Sequence, residues 1–138
     1  ITHLIKLRDL QSKKPKENYG FVTFVPWPFM AEGTRLKKLY PGHYRQSAVE
    51  YVRLVAISRI LLNNIDHLQA SLLTVGMNTA QICLHGGADD LGSIMIEENV
   101  VSAAGDSFRT HAEEIQQIIR GAGFTPRQRN QKYEGVKK

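Results

Sequence analysis

With 138 residues, 42% of them apolar, the chain has room for one domain with a substantial core and too little for two. A single cysteine, Cys83, excludes an internal disulfide and any CxxC-type metal or redox motif, which fits a reducing compartment such as the cytoplasm. The net charge of +5 is uneven: residues 1–16 and 126–138 each carry +4, while the stretch between them carries −3.

No aromatic residues are interleaved with a basic face, so a nucleic-acid-binding module is not expected. No apolar run approaches the ~20 residues that span a bilayer, and no signal peptide is visible, so no membrane partner is expected either. The first residue is Ile1 and not Met, as expected of a piece of a longer protein.

Ile1, Leu4, Ile5 and Leu7, with Leu10, have helical spacing, and Pro15 ends the pattern. Phe21-Val22-Thr23-Phe24-Val25 reads as a strand buried on both faces, stopped by Pro26-Trp27-Pro28. Ser47 and Glu50 form a capping-box pair before a helix to about Leu62, whose sparse polar face predicts that it is largely covered. Gln69 to Val75 is a second strand candidate, followed by a helix from about Asn78 to Gly86-Gly87. A third, short strand is expected within Asp90 to Ile96. Thr110 and Glu113 suggest another capping box, before a helix with an apolar stripe at Ile115, Ile118, Ile119 and Ala122.

Strands alternating with helices at this spacing predict an α/β fold of parallel βαβ units. Either a small open doubly wound sheet or an arc of a (β/α)8 barrel fits. No glycine-rich phosphate loop follows any strand, which removes the main support for a nucleotide-binding open sheet. In either architecture ligands meet the C-terminal ends of the strands: Pro26-Trp27-Pro28-Phe29, Thr74-Val75-Gly76-Met77 and Glu97-Glu98-Asn99. Asp89 and Asp90 precede the third strand and are expected to hold a turn or cap. His85 and Asp89 lack a third ligand at usable spacing, so no metal site is expected.

These strand ends carry a resemblance. Phe24-Val25-Pro26-Trp27-Pro28-Phe29 and Glu32-Gly33-Thr34-Arg35-Leu36 are followed in order by Val49-Glu50-Tyr51, by the acidic stretch Gly87 to Val100, and by Ala122 to Arg129. Together they resemble the C-terminal part of the cyclic dehypoxanthinyl futalosine synthase family, radical S-adenosylmethionine (SAM) enzymes of menaquinone biosynthesis. The same group contains aminofutalosine synthase and the deazaflavin precursor synthase, which stay open as alternatives. A self-contained, non-enzymatic α/β binding module is the reading from a different class.

The resemblance implies a partial TIM barrel, about strands six to eight, over residues 1–125, with a basic C-terminal tail at 126–138. It implies SAM and a 4Fe-4S cluster as cofactors of the parent enzyme, a transferase or cyclase, and dehypoxanthine futalosine as its small-molecule substrate. Members of the family carry CxxxCxxC, which is absent here. This chain is therefore expected to bind neither cofactor and to be inactive alone. By the same resemblance Val25, Pro26 and Trp27 lie against the SAM adenine, and Phe29, Thr74 and Asn99 contact substrate. Glu97 and Glu98 are the catalytic candidates, emerging from the third strand where a carboxylate can accept ribose hydroxyls or take a proton. A three-strand arc leaves two sheet edges without neighbours, so self-association is expected.

Overall fold

The computed structural model describes residues 1–42, 46–93 and 111–136. Its elements run α1 (Thr2–Ser12), β1 (Thr23–Phe24), α2 (Arg35–Leu39), α3 (Ala48–Leu61), β2 (His67–Leu68), α4 (Leu72–Val75), α5 (Met77–His85) and, after residues outside the description, α6 (Ala112–Gly121). The arrangement is α/β around a small parallel sheet.

β1 and β2 pair in parallel, with Thr23 opposite His67 and Phe24 opposite Leu68, and α3 makes the crossover between them. A parallel bridge joins Gln69 to Asp90, with Ala70 N–H donating to the Asp90 carbonyl and Asp89 N–H to that of Leu68. This isolated bridge lies where the sequence leads one to expect the third strand to begin. From Ile94 onward the expected strand lies outside the described residues, as does Thr110.

The second strand is displaced from its expected place. Leu72–Val75 is a turn of helix, and the pairing lies earlier, at His67 and Leu68. The reason is the length of the neighbouring strand. Pro26 has no N–H to extend the ladder, so β2 runs out of partner just beyond Leu68. Past Ala70 the backbone satisfies itself locally: Val75 N–H donates to the Ser71 carbonyl and Gly76 N–H to that of Leu72.

The helices form where capping and apolar stripes coincide. The Ser47 hydroxyl accepts from Glu50 N–H, and the Glu50 carboxylate accepts from Ser47 N–H, closing the expected box at the start of α3. α6 begins one residue later than the predicted cap, the Glu114 carboxylate accepting from His111 N–H. α2, capped by the Thr34 hydroxyl, is too short and too basic to show an apolar period.

One core joins Tyr51 and Val55 of α3, Leu68 and Ala70 around β2, Leu72, Ala80 and Cys83 of α4 and α5, and Ala88 and Leu91 leading into the third strand position. A smaller one, Leu4, Leu62 and Ile65, seats α1, and Phe24 packs against both. Only the Tyr51, Val55 and Ser58 stripe of α3 is buried. Ile60 is 75% exposed and Val49 69%, so α3 is not covered all round as its composition suggests. The sheet offers it one face to pack on.

Candidate functional site

The chain following each strand converges on one cavity of about 650 Å³. The β1 side supplies Pro28 to Glu32, the β2 side Thr74 and Val75, and the start of α3 supplies Gln46 to Ala48 and Tyr51. Lys37 of α2 and Thr79 of α5 complete the wall. The lining is mixed: Phe29, Met30, Ala31 and Val75 are apolar, while Gln46, Ser47, Thr74 and Thr79 can hydrogen-bond and Lys37 pairs with Glu32 at the rim. Such a surface suits an uncharged or weakly charged polyhydroxylated ligand carrying a flat apolar group.

Tyr51 holds the two walls in place. Its ring is 1% exposed, and its hydroxyl donates to the Pro26 carbonyl at 2.8 Å and accepts from Ser71 N–H at 2.9 Å. Burial pushes the phenol up to about 12, against the opposing pull of the Ser71 hydrogen bond. The Thr74 hydroxyl in turn donates within α4's first turn, 3.0 Å from the Ser71 carbonyl and 2.7 Å from the Ser71 Oγ.

The structure therefore brings two of the expected site residues, Phe29 and Thr74, onto one cavity. Val25 and Pro26 follow directly on β1 and do not line the cavity, nor does Trp27, which is 56% exposed. Glu97, Glu98 and Asn99 lie outside the described residues. Tyr51, Glu32, Gln46 and Lys37 carry no role in the sequence reading. Tyr51 and Glu32 stand within motifs quoted above, but their function depends on a fold that brings residues 26, 51 and 71 together.

At the opposite end of the strands the chemistry is structural. Asp89 accepts from Leu68 N–H (2.6 Å) and from Arg59 Nη2 (3.0 Å), and its other oxygen lies 2.7 Å from His67 Nδ1. Arg59 also donates to the carbonyls of Gly87 and Asp66. Asp90 accepts from Gly92 N–H and pairs with Arg129, whose guanidinium lies 4.1 Å over the Tyr133 ring. Tyr133 stacks on His67 at 3.9 Å. Asp90 thus holds the turn expected of it through Gly92 N–H, whereas Asp89 is no turn or cap residue: its carboxylate reaches across to Leu68, Arg59 and His67, 21 to 30 residues away in sequence. His85 is elsewhere, against Phe124. Gly92 takes φ +91, a conformation that L side chains rarely adopt, and a Cβ there would also lie 2.8 Å from the Gln69 side-chain amide.

The resemblance implies an iron-sulfur cluster for the larger enzyme, and a cluster requires several accessible thiolates. Cys83 is the chain's one cysteine, is fully buried on α5, and is pushed up to about 11 by desolvation. Among the described residues no three His, Cys, Asp or Glu side chains are grouped to hold a metal ion. This donor set does not fit a cluster.

The comparisons extend over nearly the whole chain. It is 45% identical over 134 residues to a cyclic dehypoxanthine futalosine synthase of Streptomyces coelicolor, covering 97% of this chain and 32% of that protein. It is 41% identical over 138 residues to the synthase of the same name from Halalkalibacterium halodurans, covering 98% and 34%. A 5-amino-6-(D-ribitylamino)uracil–L-tyrosine 4-hydroxyphenyl transferase of Methanosarcina barkeri is 35% identical over 142 residues, covering 99% and 37%. The chain spans about a third of the length of these relatives. The family model described as "CofH/MqnC C-terminal region" matches residues 18–138, and the chain belongs to that family.

Proposed function

We propose that this chain is the C-terminal, ligand-enclosing part of a radical SAM synthase that cyclises dehypoxanthine futalosine in menaquinone biosynthesis, working in the cytoplasm. One observation carries the reading: Pro28, Phe29, Glu32 and Tyr51, from three of the stretches that resemble the synthase family, line one cavity on the C-terminal side of both strands. The higher identity to the two futalosine synthases than to the tyrosine-linked transferase favours that substrate over its relatives.

In this reading residues 1–125 form the arc of a barrel, about strands six to eight, and 126–138 a basic tail. SAM and the cluster are held largely by chain that precedes this arc in the longer enzyme. The work of this chain is to enclose and orient. Val25, Pro26 and Trp27 border the SAM adenine, with Pro26 fixed through its carbonyl and the Trp27 ring free of the core. Phe29 packs on the flat part of the substrate, and Thr74 and Asn99 hydrogen-bond its hydroxyls. Glu97 or Glu98 accepts the ribose hydroxyls or takes the proton released after ring closure; on the strand that the sequence leads one to expect there, adjacent residues would face opposite ways, so one of them serves. A cavity of this kind contributes by placement and by excluding water.

The test is turnover by the full-length protein containing this chain, supplied anaerobically with SAM, a reductant and either dehypoxanthine futalosine or the pair L-tyrosine and 5-amino-6-(D-ribitylamino)uracil. Cyclised futalosine product, absent with the 138-residue chain alone, is the expected result. Turnover of the tyrosine pair and not of dehypoxanthine futalosine would replace this reading with the transferase one.

A further inference from the structure

We propose that Tyr51 is a positioning residue: its hydroxyl sets the spacing between the two walls of the cavity. The inference rests on the cavity being the site assigned above. Three observations carry it. The phenol is the shared partner of two backbone groups 45 residues apart in sequence, the Pro26 carbonyl and the Ser71 N–H. Each belongs to a different wall. Pro26 leads directly into Trp27 to Phe29, and Ser71 leads into Thr74 through the carbonyl and hydroxyl that hold the Thr74 side chain.

The link also occupies a place where the sheet cannot serve. The paired register of β1 and β2 ends at Phe24 and Leu68, and among the described residues Gln69 N–H is the last backbone donor to cross between the two. Gln69 N–H reaches the Phe24 carbonyl, Ala70 N–H turns to Asp90, and Ser71 N–H is left for Tyr51. A buried phenol held by ring packing on α3 is stiff, and one donor plus one acceptor fixes both sides at once. Removing the oxygen leaves a buried N–H and a buried C=O unsatisfied on facing walls. The walls then lose their common reference while the ring still fills the core.

The experiment compares Tyr51→Phe with Arg59→Ala, which removes contacts at the opposite end of the strands. In the 138-residue chain, Trp27 is the sole tryptophan and reports on the Pro26 segment. Tyr51→Phe is expected to speed Ser71 amide exchange at least tenfold and to lower Trp27 fluorescence anisotropy, with Arg59→Ala leaving both as in the wild type. In the full-length protein, Tyr51→Phe should lower kcat/KM for dehypoxanthine futalosine at least tenfold with a raised KM, and Arg59→Ala should change neither constant. Equal responses to the two substitutions, or none to Tyr51→Phe, would overturn the proposal. If Tyr51→Phe does not fold, the wild type decides: Ser71 must exchange with the slowest core amides, and exchange at loop rates overturns the assignment. If the full-length wild type does not turn over dehypoxanthine futalosine, the functional reading fails, while exchange and anisotropy still decide the role of Tyr51.

Discussion

Ser58 is fully buried on the inner stripe of α3, and its hydroxyl has no hydrogen-bond partner among the described residues. A buried polar group without a partner costs its desolvation, about 1–3 kcal/mol, with nothing returned. Ser58→Ala removes that cost and gains helix propensity. Urea melts are expected to show unchanged stability or a gain of up to about 1 kcal/mol; a loss beyond about 1 kcal/mol would reveal a partner for the hydroxyl. Two neighbouring core groups govern behaviour at high pH. Burial raises Cys83 from 9.0 to about 11 and Tyr51 from 10.0 to about 12, and Tyr133 is raised as well. The unfolded chain therefore gives up these protons first. Stability from the neutral forms is whole below pH 9, falls between 9 and 11 for Cys83, and falls between 10 and 12 for Tyr51. In melting curves normalised to pH 7, Cys83→Ala should delay the onset of the alkaline decline by about one pH unit, the gap between the Cys and Tyr reference values. An unshifted onset would place the first titration elsewhere.

At the scale of elements, the C-terminal segment is tied into the body. Gln128 to Val136 doubles back on itself through the Asn130–Glu134 and Gln128–Val136 backbone bonds, and Arg129 on Asp90 and Tyr133 on His67 anchor it to the body. The Asp90 carboxylate is 8% exposed and that of its partner guanidinium 25%, so this pair is shielded from solvent in a way the Lys37–Glu32 pair is not. Arg129→Ala removes the charged partner of a buried carboxylate that also accepts from Gly92 N–H. The expected loss is about 2–3 kcal/mol, toward the low end of what a broken buried pair costs. Chemical denaturation measures it, and a loss under about 0.5 kcal/mol would mean that the segment contributes no more than a surface ion pair. The sequence announces none of this. Arg129 and Asp90 are 39 residues apart, and no local period links them. Local signals succeed where the physics is local: the Ser47–Glu50 box, the Gly86 stop of α5 and the stripe of α6 are all legible. They fail where a neighbour decides. Leu72 to Val75 has strand composition and becomes helix because β1 stops at Phe24, two residues short of Pro26. The candidate site divides the same way, Phe29 and Thr74 being found from strand ends and Tyr51 being missed because its two partners come from different strands.

For the whole molecule, the decisive feature is the surface around β1. Among the described residues β1 pairs with β2 on one side only. On the approach to that strand, Gln11 takes up the Phe21 backbone, its amide donating to the carbonyl at 3.0 Å and accepting from the N–H at 2.7 Å. That contact blunts one position of the edge and leaves the next without a charge to repel a second chain. The surrounding side chains are apolar and wet: Tyr19, Phe21, Val22, Trp27 and Phe29 are all exposed within eleven residues. An apolar cluster beside an open strand edge is the combination that soluble monomers avoid. At about 25 cal/mol per Å², covering a few such side chains favours association by several kcal/mol before the entropy of docking is subtracted. The net charge of +5 opposes it only weakly at physiological salt, where charges more than about 8 Å apart are screened. The 138-residue chain is therefore expected to form dimers or larger assemblies at micromolar concentration in light scattering, with mass falling on dilution. Val22→Lys places a charge in the middle of the approach to β1 and should return the chain to monomer without lowering its melting temperature, since Val22 is not part of either core. A wild-type chain that stays monomeric at about 100 µM would show that this surface is covered from within the chain.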